Sequence, residues 1–457
     1  MSSMYNANLA FDKAPPLDAL FRFFLTAPLF GMGAALLLAW FGTDAFATRW
    51  APSLLSITHL ITLGALAMVM VGAVIQMVAV VAGSPAAKPR LLGGLVHVTL
   101  SLGVIFLSVA FLSDKRLWMQ LAVLFLGLGI ASFVALAMAT LLRAPRAHDT
   151  VLGMELAVVA LAVALGMGLT LAVGHAFEGM ALHRFPLTNV HLGWGIAGWI
   201  GLLVIGVAFQ VVPMFQITPN YPEWMTRWLV KFIFAGLLLW AAGDLPAFWF
   251  AAGWIWLSRA GGLVLLVGFA AFAIVTLWLQ FKRRRRLPDV TTDFWRVGMC
   301  SLLLGGVIWL TAQVWGDFAL HRIYPLLLGI VLLCGFAWSV VNGMIYKIVP
   351  FLAWFHLQNK MLEAASATPV RVPNMKQIIA DAAARRQLRV HVVALLLLVG
   401  AVIEPIAFVH ATSVAFLISS ALLGWNVISA SRIYYRHLRL ITTPSEPAQG
   451  AGESSAD

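Results

Sequence analysis

The chain has 457 residues, 61% of them hydrophobic and 11% charged, with a mean hydropathy of +0.92 and a formal net charge of +12. That composition cannot cover a water-facing surface with polar groups, so a soluble globular fold is excluded and the bilayer must act as solvent. The basic excess lies between apolar runs, which points to anionic headgroups and membrane topology and excludes a nucleic-acid surface.

Residues 1–17 form an N-terminal segment whose first twelve positions are polar. No small-residue cleavage site follows a short apolar core there, so the first apolar run is expected to stay in the protein. Runs of about 20 apolar residues are needed to cross a bilayer. Twelve are predicted, at 18–42, 54–82, 91–113, 117–142, 151–174, 189–214, 224–243, 256–281, 294–316, 324–354, 388–410 and 412–436, and are called spans 1–12 below.

One signature recurs in spans 2, 6 and 10: Gly72-Ala-Val-Ile-Gln76, Gly206-Val-Ala-Phe-Gln210 and Gly343-Met-Ile-Tyr-Lys347. A second, Gly31-Met-Gly33, Gly166-Met-Gly168 and Gly305-Gly306, recurs at similar spacing. The reading is an all-α integral membrane domain over 18–437, built as three four-helix repeats (18–142, 151–281 and 294–436) about a pseudo-threefold axis. The glycines would allow close helix approach, and the polar residue that follows would face a neighbouring helix instead of lipid.

Lys282 to Arg286 follow span 8, and Lys360, Arg371, Lys376, Arg385, Arg386 and Arg389 follow span 10. Positive charge thus favours even-numbered connections, which predicts an inner-membrane protein with both termini cytoplasmic. Within the cytoplasmic loop at 358–387, residues 374–386 are expected to form a helix on the membrane surface. The tail, 438–457, is too polar to build a core and is expected to be disordered.

Cys300 and Cys334 are the only cysteines, and both fall inside spans. Covalent haem attachment and a disulfide framework are therefore excluded. Trp40, Trp50, Trp118, Trp224 and Trp315, near span ends, are read as an interfacial belt.

Six histidines gather toward the periplasmic side: His59 in span 2, His191 in span 6, His175 and His183 around the span 5–6 connection, His321 before span 10 and His410 at the end of span 11. A neutral imidazole is the usual protein ligand of haem iron, copper and zinc. The plainer reading is that loop histidines are solvated and membrane histidines bond a neighbouring helix. His59 and His191 stand 17 and 19 residues before their glutamines. Two residues turn a side chain by about 200° on a regular helix, so a shared orientation would require a bulge or kink.

In the third repeat span 10 reads Tyr324-Pro-Leu-Leu-Leu-Gly329 without a histidine. His321 reaches that depth only from the surface. His97, Lys231 and His391 occupy matching cytoplasmic-side positions, where hydrogen bonding or headgroup contact is expected. Intramembrane ionisable groups default to functional hypotheses. Glu404, ahead of Pro405, is therefore a candidate for supporting a cofactor ligand or carrying protons, with Tyr324 grouped beside it; pairing with Arg322 is the structural alternative. Lys231 and Lys347 either snorkel or pair with Glu155.

Twelve spans, three four-helix units, Thr58-His59-Leu-Ile-Thr-Leu-Gly64 followed by Gln76, Val190-His191-Leu-Gly-Trp-Gly195 and Phe21-Arg-Phe-Phe24 together resemble subunit I of the haem-copper oxidase superfamily, and more closely its NnrS-like relatives. The resemblance implies a low-spin haem axial ligand at His59 and a copper ligand at His191. The sequence departs from the oxidases in lacking the span 10 His-x-His pair, the span 7 histidines and a tyrosine after the span 6 histidine, where Gly195 stands. Complete oxygen or nitric oxide reduction is therefore not expected.

The expected function is haem b or metal binding near the periplasmic face, serving electron transfer, ligand sensing or nitric oxide protection. His59, His191 and His321 are candidate haem ligands, and His175, His183 and His191 candidate ligands for copper or another transition metal. An electron-donor protein or quinone and a second copy of the chain are candidate partners. The competing class is a non-redox transporter or assembly protein that keeps the fold without cofactors.

Overall fold

The computed structural model describes residues 13–81, 83, 88–113, 115–144, 149–176, 184–245, 254–284, 287–364 and 370–442. Twelve helices are long and apolar enough to cross a membrane: α1 (Leu17–Phe46), α2 (Pro52–Val80), α3 (Pro89–Leu112), α4 (Arg116–Leu141), α5 (Asp149–Ala176), α6 (Pro186–Gln216), α7 (Glu223–Asp244), α8 (Ile255–Phe281), α9 (Val290–Val314), α10 (Ile323–Glu363), α11 (Asp381–Ile403) and α12 (Pro405–Thr442). No strand occurs among the described residues.

Successive helices pack side by side, and α12 closes on both α11 and α1. The starts of α1 and α3 meet through the Asp18–Arg90 ion pair, 2.9 Å. The face carrying these ends, and with them both ends of the described chain, is called the terminal face. The three most buried helices are α2, α6 and α10, which are apolar all round as interior helices must be.

Each of these three inner helices contains a π-helical stretch: Leu60–Ala67, Trp194–Leu202 and Val331–Trp338. Their first residues lie as far apart as Gln76, Gln210 and Lys347 do. The α10 stretch touches the other two, so the inner helices meet through their widened turns.

The signature glycines each face the immediately preceding helix. A Cβ on Gly72 would lie 3.1 Å from the Phe23 side chain of α1; on Gly206, 2.8 Å from the Gly153 backbone of α5; on Gly343, 2.7 Å from Phe294 of α9. Helices packed this closely gain dispersion contact, which drives association where lipid removes the hydrophobic incentive. Gln76 is buried. Lys347 pairs not with Glu155 but with Asp289, just before α9, its Nζ 2.8 Å from the carboxylate.

Several boundaries differ from those read in the sequence. α10 continues to Glu363 and α12 to Thr442, so 438–442 are helical, while 443–457 lie outside the described residues. The expected surface helix at 374–386 is split. Asn374 caps the single turn Met375–Ile378 with a capping box, Ile379 and Ala380 turn extended, and α11 starts afresh at Asp381. Trp40, Trp224 and Trp315 are exposed as an interfacial belt requires, whereas Trp50 lines an interior cavity.

Candidate functional site

Between the inner helices α2 and α6 lies a cavity of about 600 Å³. Its wall is mostly apolar and is contributed by α1 to α6 and α10 to α12. His59, His175 and His191 all border it, together with Thr58, Thr62, Thr188, Cys334 and Thr412. At one edge stand Arg49 and Trp50, from the connection between α1 and α2.

The His59 and His191 rings face each other with centroids 6.5 Å apart and planes inclined by 17°. His59 Nδ1 lies 2.8 Å from the Leu55 carbonyl, one turn back on α2. His191 Nδ1 lies 2.9 Å from the Ala164 carbonyl of α5. A carbonyl oxygen only accepts, so both Nδ1 atoms donate and both Nε2 atoms carry the free lone pair. Neither Nε2 has a hydrogen-bond partner among the described residues. Holding one ring nitrogen on a carbonyl while the other stays a lone-pair donor is how proteins orient ligating imidazoles.

The two-residue offset between the histidines has a geometric reason. The π stretches start at corresponding places, so they do not cancel it; His59 stands immediately before its stretch and His191 three residues before. Rotated by about 200°, the His191 ring packs on α5 beside Gly168 and lies near-parallel to that of His59. At the α6 position matching His59 stands Gly193, where any Cβ would collide with the Trp240 ring.

Arg49 is the cationic residue of the wall. Its Nη2 donates to Asn189 Oδ1 at 3.0 Å, and its guanidinium sits 4.4 Å above the Trp50 ring. Burial lowers its pKa from the ordinary value, and the nearby Tyr324 phenol opposes the shift. Arginine stays protonated through such a change, so this edge offers a permanent positive charge to an acidic group inside the cavity.

The other sequence candidates separate. His321 is exposed, and its Nδ1 accepts the Ile323 amide at 3.3 Å, because the short helix Gly316–Leu320 holds it on the surface ahead of α10. Glu404 is exposed at the break between α11 and α12; Arg322 donates to the Phe46 carbonyl instead of pairing with it. Tyr324 packs edge-on against Phe318 and does not border the cavity. His410 is exposed on α12. His183 lies outside the described residues.

No group of three or more His, Cys, Asp or Glu side chains able to hold a metal ion occurs among the described residues. His97 and His391 are hydrogen-bonded to Thr26 Oγ1 (2.9 Å) and Ser339 Oγ (2.8 Å). Sequence reasoning passed over Arg49, although a lone arginine between two spans was visible, and Ala164, whose carbonyl carries no sequence signal. No model of a known protein family matches the chain, and no curated protein matches it either.

Proposed function

We propose that this chain is a membrane haem protein in which His59 and His191 together supply both axial ligands to one haem b in the α2–α6 cavity. The observation that carries the reading is the pair of near-parallel imidazoles, each fixed through Nδ1 and each presenting a bare Nε2 to an apolar cavity of about 600 Å³. Two imidazoles sharing one metal, with metal–nitrogen bonds of about 2.0–2.1 Å, hold their ring centres about 6 Å apart. The 6.5 Å found here fits that separation.

Two protein ligands suffice for haem because the macrocycle supplies the remaining nitrogens, whereas a bare zinc or copper ion needs three or four. Bound there, haem would supply one-electron redox chemistry. His59 and His191 would hold the iron, with their tautomers fixed by the Leu55 and Ala164 carbonyls; the apolar wall would exclude water, and Arg49 would pair with an acidic edge group. Two histidines committed to the haem would favour electron transfer over ligand sensing or nitric oxide chemistry, which need an open position. An electron-donor protein or a quinone is the corresponding partner class.

We further read the helices as three four-helix units about a pseudo-threefold axis in the inner membrane. Supporting this are the corresponding π stretches, the signature glycines each packed on the first helix of their own unit, and inner helices spaced four apart. Basic residues such as Lys282, Arg283 and Arg284 follow α8 on the terminal face, which would make that face cytoplasmic.

Purified protein should show a Soret band and a reduced α-band, and His59→Ala should remove both while the protein still inserts. A featureless visible spectrum from wild-type protein supplied with haem would overturn the reading and favour a transporter or assembly protein on the same fold.

A further inference from the structure

A second cavity, of about 520 Å³, lies at the terminal face, away from the histidine pair. It is bounded by the starts of α1 and α3 and by the last turns of α10 and α12. Its size falls within the roughly 300–1,000 Å³ of small-molecule sites, but its wall carries charges of both signs. Asp18, Arg90, Lys360 and Glu363 all border it, beside the rings of Tyr434 and Tyr435.

The four charges form two ion pairs, Arg90 Nε with Asp18 at 2.9 Å and Lys360 Nζ with Glu363 at 2.6 Å. These side chains are 40–67% exposed. Pairs this open to solvent contribute little stability, so a ligand that offers each partner a new counter-charge replaces them with small loss. Arg90 approaches Asp18 through Nε alone, and both its Nη groups are without a partner among the described residues. His356 also borders the cavity, and its Nε2 is buried with no hydrogen-bond partner among the described residues. A buried nitrogen of this kind needs a partner that the surrounding side chains do not bring.

The cavity stands at the edge of the bilayer. α1 has 30 residues, about 45 Å at 1.5 Å per residue, which matches a membrane of about 40–45 Å including its headgroups. Asp18, in the first turn of α1, is therefore at headgroup depth. Arg22, Leu25, Leu29 and Leu36 follow it at helical spacing on the same face. Leu29 and Leu36 are 58% and 57% exposed, so this face leads from the cavity directly into lipid.

We propose that the cavity binds the headgroup of one zwitterionic phospholipid, phosphatidylethanolamine, with an acyl chain lying along the Leu25–Leu36 face of α1. The phosphate accepts hydrogen bonds from Arg90 and Lys360, and the ammonium donates to Asp18 and Glu363. Two carboxylates in the wall oppose a purely anionic headgroup, and methylating the ammonium removes the N–H groups they accept from. The bound lipid joins α1 and α3 to α10 and α12, where the first and last helices of the chain meet. This site does not depend on what the histidine cavity binds.

Native mass spectrometry of the full chain, stripped of lipid by detergent exchange and then titrated, tests it. One phosphatidylethanolamine should bind per chain at least about tenfold more tightly than phosphatidylcholine or phosphatidylglycerol. Arg90→Gln and Lys360→Gln should each weaken that binding by about tenfold, whereas Lys282→Gln, a basic residue elsewhere on the terminal face, should change it less than about twofold. Equal binding of the three lipids, or tighter binding of phosphatidylglycerol, overturns recognition of a zwitterion. Wild-type binding in both the Arg90 and Lys360 variants overturns the placement of the site. Displacement of the lipid by soluble phosphoethanolamine at the same free concentration would show a site for a free phosphate ester and overturn the role of the acyl chain.

Discussion

The inner helices α2 and α6 differ from α10 at the entrance to a stretch that all three share. All three carry a π stretch at the corresponding place, but α2 and α6 set an imidazole just ahead of it, while α10 sets Leu328, Gly329 and Ile330 there. The widened turn is therefore a device of packing, used wherever inner helices meet. The histidines are an addition to two copies of it. They sit at non-matching positions, and both border one cavity.

The largest expected effect tests whether α2 and α6 serve a single centre. If the two hold one haem, His59→Ala and His191→Ala should each remove or strongly shift the haem spectrum, since each takes away one of the two imidazoles that would hold the iron. Ile330→His, at the α10 position corresponding to His59, should leave the wild-type spectrum unchanged. If His191→Ala keeps full haem content and instead lowers bound copper, the two histidines belong to separate centres, as the oxidase resemblance implies, and the shared-iron reading fails.

The signature glycines grade the same comparison sterically. An added Cβ at Gly206 meets the Gly153 backbone, which cannot move aside, whereas at Gly72 it meets only the Phe23 side chain at 3.1 Å. Gly206→Ala should cost about 1–3 kcal/mol as an overpacked contact, Gly343→Ala somewhat less, and Gly72→Ala under about 1 kcal/mol. Thermal unfolding in one detergent would rank them; equal losses at all three positions would mean that the close approach is not what the glycines provide.

Much of this was readable in the sequence, because span length and apolar composition report directly on the bilayer. The repeat spacing also singled out α2, α6 and α10, and the depth of His59 and His191 marked them as candidates. Their relative orientation was not readable, since the turn of a helix about its own axis depends on neighbours remote in sequence. His321 and Glu404 illustrate the converse: correct depth along the chain, yet one is held on the surface by a short helix and the other lies at an exposed helix break. The boundary error at 374–386 arose because helix propensity says little about Ile379 and Ala380, whose extended backbone ends the turn capped by Asn374.

The smallest effect concerns the polar end of the same signature, where Gln76 and Gln210 are replaced in α10 by Lys347. If the lysine is there for Asp289, then Lys347→Gln, which restores the residue of the other two helices, should destabilise the protein despite that likeness. The ion pair is 2.8 Å long, with the two side chains 22% and 15% exposed, and its loss should cost about 1–2 kcal/mol, between the values for surface and fully buried pairs. Asp289 keeps its bond from the Thr291 amide at 2.9 Å, which limits the damage. Asp289→Asn should cost less, because asparagine still caps α9 and Lys347 can extend toward the terminal face. The control is Lys360→Gln: its partner Glu363 and the lysine itself are about half exposed, so the change should stay within about 0.5 kcal/mol. Raising the salt concentration should erase the Lys360 effect and leave that of Lys347 largely intact, since water screens only the exposed pair. Equal, salt-sensitive losses at both positions would show that Lys347 merely reaches for solvent and that α10 departs from α2 and α6 without structural consequence.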